Sequence, residues 1–274
     1  HQEVEVRMID LVVESITNSH FKFVTKTSIE VRPADHPKDL LRLFVYGYLN
    51  QIRSSRALEK ECKRNIELMW LMKELAPDHN TISNFRRDNE KAIRKVFRYT
   101  VSIAKQFDLI GGKLVAGDST KLRAQNSKKN NFNEKKIEQH LAYIDNKLKE
   151  YNNALALADE ENKKLIEREI VKQNRRKRQY KNYNQQLQQT GEVQISTSDP
   201  DSRQLITRNN ITEVAYNVQT VVDEKYNLPI DYKVTNENDR KAMGPMLRRT
   251  KTSLNTTDFT ALYDKGYHTG TEIK

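Results

Sequence analysis

The chain carries a single cysteine, Cys62, so no disulfide can close within it and no cysteine-based zinc site can be assembled. A reducing cytosol suits such a chain, with Cys62 serving as a small buried apolar residue or an idle thiol. The six histidines (His1, His20, His36, His79, His140 and His268) include no close pair at zinc-ligand spacing. No apolar run is long enough to span a bilayer, and no charged start with an apolar core marks a secretory leader, so no membrane partner is expected. Acidic charge is also in deficit. Against 37 acidic residues stand 48 basic ones, a net charge of +11. This excess favours a polyanionic partner, since neutralising phosphates releases condensed counterions. A well-solvated basic surface is the plainer alternative.

At 274 residues the chain is long enough for two domains, or for one domain with a large insertion. Hydrophobic residues make up 36%, low for one compact globule, and the surplus polarity sits largely in one segment. The chain opens on His1 and stops at Lys274 just after an expected strand, which reads as a piece of something longer.

Residues 1–110 read as mostly helical. In "PKDLLRLFVYGYLNQIRSS", Leu40, Leu41, Phe44, Val45, Tyr48 and Leu49 recur at helical spacing behind Pro37, a favourable first helical residue. A short helix and then a very apolar one through Met69, Trp70 and Met72 follow, stopped by Pro77, with Trp70 expected in the core. Asn80 or Thr81 is the expected cap of a further helix bearing Ile82, Phe85, Ile93, Val96, Phe97 and Val101. Short helices with Arg53, Arg56, Lys63, Arg64, Arg86 and Arg87 fit a helix-turn-helix-like DNA-binding unit or a plain bundle with solvated cations.

The texture changes at Gly111-Gly112. "KLVAGDST" is short, apolar and strand-like. From about residue 133 to 190 a polar stretch carries a narrow stripe (Ile137, Leu141, Ile144, Leu148, Tyr151, Leu155). A second stripe (Leu165, Ile166, Ile170, Val171) follows a turn near 159–162. That pattern predicts an antiparallel helical hairpin. "STSDPDSRQLITRNN" is a loop by composition. Two alternating segments follow, Val214, Tyr216, Val218 against Ala215, Asn217, Gln219, and then Leu228, Ile230, Tyr232, Val234, joined by a hairpin-like "DEKYN". A helix beginning or kinking near Pro245 leads to a last strand, "FTALYDKGY".

Asp118 and Asp264 close two of these strands. Carboxylates at the ends of neighbouring strands can share hard divalent cations through oxygen ligands. Two such cations activate a water or a 3′-hydroxyl and stabilise the leaving oxygen at a phosphodiester. The small neighbours in "GDST" and "YDKGY" would let a substrate backbone come close. Taken singly, each aspartate is as readily a turn or strand terminator. Lys121, Arg123, Lys128 and Lys129 cluster after the first strand as phosphate candidates. Arg175, Arg176, Lys177 and Arg178 form either a phosphate patch or a solvated face, and Lys265 and His268 follow Asp264 closely.

At these residues the chain resembles the DDE-type transposases of bacterial insertion sequences, most closely the group named after insertion sequence eleven-eighty-two. Residues 36–89 look like that group's helical N-terminal domain, "DSTKLRAQNSKKNNFNEKKI" like its first catalytic block, and "DPDSR", "AYNVQTVVD" and "ALYDKGYHTG" like the blocks that follow. The resemblance implies an α+β protein: a helical domain over 1–110, for DNA binding or dimerisation, and an incomplete RNase H-like catalytic domain over 111–274. A helical insertion occupies about 133–190 of the latter. It implies metal-dependent cleavage at transposon ends and strand transfer, with Asp118 and Asp264 as catalytic residues and ligands of Mg²⁺ or Mn²⁺. The implied partner is double-stranded DNA, bound by a homodimer in the bacterial cytoplasm at the nucleoid. The family's third acidic residue has no counterpart here, and Glu272 stands too near its strand to replace it. Weak or absent strand transfer is therefore expected of this chain. A truncated, non-catalytic DNA-binding remnant is the alternative.

Overall fold

The computed structural model describes residues 2–16, 21–24, 36–207 and 210–268. The chain divides into two units at residues 109 and 110. The first unit is built from α1 (Gln2–Ser15), α2 (Pro37–Leu49), α3 (Ser55–Cys62), α4 (Ile66–Leu71), α5 (His79–Asp88) and α6 (Glu90–Gln106). Pro37 takes the first turn of α2, where a missing N–H costs nothing. The cap of α5 is Asp78, not Asn80 or Thr81. Its Oδ1 accepts from both of those backbone N–H groups at 2.8 and 2.9 Å, which places them inside the first turn.

Leu40, Leu41, Leu43, Leu58, Leu68, Leu71, Met72 and Ile82 form the core of this unit, with the Phe85 ring stacked on Phe23 and Phe44. Trp70 is not in it. On the six-residue α4 the buried face belongs to Leu68 and Leu71, which turns Ile66, Met69 and Trp70 outward, Trp70 at 54% exposure. Val45, Tyr48 and Leu49 of α2 are likewise exposed, because Leu43 and Tyr46 take the inner face. Arg42 is buried among carboxylates, reaching Asp10 and Asp39 at 2.7 Å each and also Glu14. Cys62 is buried, and burial pushes its thiol up to about 11. It is idle.

The second unit contains β1 (Leu114–Arg123), β2 (Asn131–Asn133), α7 (Glu134–Leu157), α8 (Glu160–Thr190), β3 (Gln194–Ser196), β4 (Arg203–Ile206), β5 (Thr212–Asp223), β6 (Pro229–Thr235), α9 (Met243–Leu254) and β7 (Thr260–Tyr263). β5 lies antiparallel to β1 on one edge and to β6 and β4 on the other. β7 joins the far side of β1 in parallel. The spatial order is thus β6-β5-β1-β7. β3 and β4 fall partly within the stretch that composition reads as loop. They are too short for an alternation to show, though Ile195 and the buried Leu205 belong to them, and pairing with β2 and β5 makes them strands.

Helix α9 covers one face of the sheet with Met246, Thr250 and Leu254, and Arg249 grips the buried Asp231 of β6 at 2.6 and 2.7 Å. On the opposite face Leu122, Val234 and Leu262 are each about half exposed. In β5 Ala215, Asn217, Gln219, Val221 and Asp223 are buried, so the parity that carries two amides turns inward, with Val214 the one buried residue of the other parity. The hairpin of α7 and α8 starts from Asn133 and Asp159 caps and ends on Gly191, whose φ of 68° suits glycine. Ile137 and Ile144 are buried in its seam, whereas Leu165 and Val171 point outward at 56% and 69% exposure.

Candidate active site

Strand pairing brings the two aspartates together. β1 and β7 run parallel in register from Leu114 opposite Thr260 to Gly117 opposite Tyr263, and the next step sets Asp118 beside Asp264. Adjacent strands lie about 4.8 Å apart, and in-register residues of a parallel pair face the same side. Both aspartates are exposed, on the sheet face that α9 leaves bare. Asp118 does not end its strand, since β1 continues antiparallel to β5 as far as Arg123. What ends there is the pairing with β7. The Ser119 N–H donates to Asp118 Oδ1 at 2.7 Å, and the hydroxyl of Thr220, the cross-strand neighbour, donates to the Asp118 carbonyl at 3.3 Å. Asp264 opens a turn over Lys265–Tyr267, closed by the Tyr267 N–H on its carbonyl at 3.0 Å.

Gly117 serves a different neighbour from the one expected. A Cβ there would stand 2.1 Å from the Tyr263 ring, so the absent side chain makes room for that ring rather than for a substrate backbone. Tyr263 in turn meets Tyr267 edge-on at 5.0 Å. A hollow of about 430 Å³ opens beside Asp264, floored by Met243, Leu247, Ala261, Tyr263 and Tyr267, with Lys265 and His268 at its margin.

Under the aspartates, on the covered face, lies a hydrogen-bonded polar layer. Asp239 accepts from Lys121 Nζ at 2.6 Å and from Asn217 Nδ2 and Gln219 Nε2 at 2.8 Å each. Burial opposes its charge, but donors from Lys121, Asn217, Gln219 and Ser119 prevail and lower its pKa. The buried Tyr267 hydroxyl donates to Gln219 Oε1 at 2.8 Å. Burial, helped by the charges of Asp239 and Asp118, pushes this phenol up to about 12, so it remains a donor. The turn that carries Asp264 is thereby tied to β5. Asn217, Gln219, Asp239 and Tyr267 were not singled out by sequence. The available signal was a pair of amides at one parity of an otherwise apolar strand.

The basic candidates separate into several environments. Lys121 is on the covered face, bonded to Ser119 and Asp239, its side chain only 15% exposed, so it supports the site from beneath. Arg123 is exposed at the end of β1, and Lys128 and Lys129 are exposed in a tight turn. That turn is held by Lys136, which donates to the carbonyls of Lys128, Lys129 and Asn131 at 2.7, 3.1 and 2.7 Å and lies over the Phe132 ring. On α8, Arg176 reaches Gln173 and Lys177 pairs with Asp145 of α7 at 2.5 Å, while Arg175 and Arg178 stay exposed. Lys265 is exposed next to Asp264. Glu272 lies outside the described residues. Among the described residues no group of three or more His, Cys, Asp or Glu side chains converges as a metal site. No described helix is long and apolar enough to cross a membrane.

Residues 2–88 match the family described as "Transposase domain (DUF772)". This match supports a transposase-like protein with a transposition-related, DNA-directed role. No curated protein and no solved structure matches the chain.

Proposed function

Taking the match of residues 2–88 to a transposase domain as premise, we propose that this protein acts as a DDE-type DNA transposase, cutting phosphodiester bonds at insertion-sequence ends, with transfer of the freed strand weak or absent because no third carboxylate joins Asp118 and Asp264 among the described residues. The observation that carries the reading is the register of β1 and β7, which sets Asp118 beside Asp264 on an exposed sheet face. The strand order β6-β5-β1-β7, three strands antiparallel and the fourth parallel, is the order of an RNase H-like sheet and supports the same reading.

The donor set fits a hard cation, since Asp118 and Asp264 offer only carboxylate oxygens and one oxygen of Asp118 is already steadied by a backbone N–H. Mg²⁺ or Mn²⁺ held by this pair supplies charge neutralisation and activation of the attacking oxygen. The chain's own residues do the rest. Tyr267 and Gln219 hold the Asp264 turn in place, Thr220 steadies the strand at Asp118, and Arg123, Lys128, Lys129, Arg175, Arg178 and Lys265 attract and align the phosphate backbone without reading its sequence. Joining two element ends in one event calls for a homodimer.

The test is nicking of supercoiled plasmid by the purified protein with Mg²⁺ or Mn²⁺. Asp118→Asn and Asp264→Asn are each expected to abolish nicking while DNA affinity stays within about twofold, because phosphate contacts carry most of the affinity. Unchanged nicking by both variants would refute the site. Because no third carboxylate joins the pair among the described residues, a second reading stands beside the first: a DNA-binding protein without chemistry of its own. Salt-sensitive DNA binding with no nicking in either metal favours that one.

A further inference from the structure

We propose that the exposed face of α5 reads base sequence in the DNA major groove. The inference rests on the DNA-directed reading above and assigns the base contacts to named residues of one helix.

Along α5 the residues Asn80, Ser83, Asn84 and Arg87 recur at i, i+3, i+4 and i+7, which places them on one stripe. Asn80, Ser83 and Arg87 are exposed and Asn84 is partly so, while Ile82 and Phe85 on the opposite side are buried. Such a stripe is poor material for packing against protein, yet amide and guanidinium groups match base edges. Asn pairs in two-pronged fashion with adenine and Arg with guanine. Among the described residues the side chains of Asn80, Ser83 and Asn84 have no hydrogen-bond partner, so their donors and acceptors are available. Arg87 is 66% exposed and rests on Asp88 at 2.8 Å.

The helix is held firmly behind this stripe. Asp78 caps it, His79 binds Glu59 of α3 through its ring at 2.8 Å, and Phe85 stacks in the core. At ten residues it is about 15 Å long, enough to lie in a major groove about 12 Å wide. The nearer match to helix-turn-helix spacing is α4, which follows α3 after the three residues 63–65. Its outward face, however, is Ile66, Met69 and Trp70, with no group suited to a base edge other than the acidic Glu67. The chemistry favours α5. Charge complementarity agrees, because α3, packed against α5, exposes Arg56 and Lys60, neither of which forms a salt bridge among the described residues, and both suit flanking phosphates.

The experiment is selection from a random-sequence duplex DNA library with the full chain and its variants. The wild type is expected to enrich a defined motif. Asn80→Ala and Asn84→Ala should each relax the preference at a base position by roughly 5- to 100-fold while binding to unrelated duplex is unchanged. Arg56→Ala should weaken all sequences alike, and circular dichroism confirms that each surface variant is folded. Absence of a motif from the wild type, or an unaltered motif from both asparagine variants, overturns the proposal. Selective binding of a protein ligand in place of duplex DNA does so too. Asp118→Asn is expected to enrich the wild-type motif, so a protein that nicks DNA without enriching one would sink this inference and leave the carboxylate site standing.

Discussion

Gly117 and Tyr263 occupy the same space from two strands. A methyl group at residue 117 cannot coexist with the ring, its nearest atoms lying 2.1, 2.3 and 2.7 Å away. Gly117→Ala is therefore expected to destabilise the protein by about 1–3 kcal/mol through overpacking and to disturb the register that aligns Asp264. Urea denaturation measures the loss. In the Gly117→Ala/Tyr263→Ala double variant the new methyl has room, so the combined cost should fall below the sum of the single ones; simple additivity would show that the two residues do not compete. At this scale the sequence was legible where chemistry is local. Asp118 and Asp264 stand out because a carboxylate at an apolar run is unusual. Asn217 and Gln219 were opaque because their partners, Asp239 and Tyr267, are far along the chain, and only folding shows that burial leaves the Asp239 and Gln219 acceptors satisfied.

The hairpin of α7 and α8 was legible as an element because its stripe repeats for several turns. Its outer stretch misled, since Leu165 and Val171 extend the apolar pattern without entering the seam. What anchors its base is aromatic. Phe132, His140, Tyr180 and Tyr183 pack together, the His140 ring stacked on Tyr180 at 4.7 Å. Burial, with Lys136 and Arg176 nearby, lowers the His140 pKa from its ordinary 6.5. A depressed value means that the folded hairpin holds the neutral ring. Its contribution is intact above about pH 6.5 and is lost as pH falls through the lower folded value. Thermal melting is expected to show the protein less stable at about pH 5.5 than at about pH 7.5, and His140→Gln should flatten the part of that drop due to this ring. A drop unchanged by the substitution would place the titration elsewhere.

At the scale of the molecule, the net charge of +11 is not uniformly available. Of the run at 175–178, Lys177 is bound to Asp145 and Arg176 leans on Gln173, which leaves Arg175 and Arg178 to meet phosphate. Titrating duplex DNA across salt should give a log–log line. Its slope is expected to shrink by roughly 2 in Arg175→Ala/Arg178→Ala and by much less in Lys177→Ala. Equal effects would mean that the Lys177–Asp145 pair opens freely in solution. Apart from the short strands β2, β3 and β4, the order of strands and helices after residue 111 could be read from periodicity and turn residues alone. Which strand neighbours which could not, because the β1–β7 pairing joins segments more than a hundred residues apart through α9, and nothing local encodes that partner.

Cys62, buried at the end of α3 with its thiol pushed up to about 11, gives the chain a built-in stopwatch. A thiol reagent can reach it only when the N-terminal helices come apart, so the rate of modification of the unaltered protein counts those openings. The same shielding means that a second cysteine placed on an exposed surface can take a fluorophore selectively, with the native thiol left where it is.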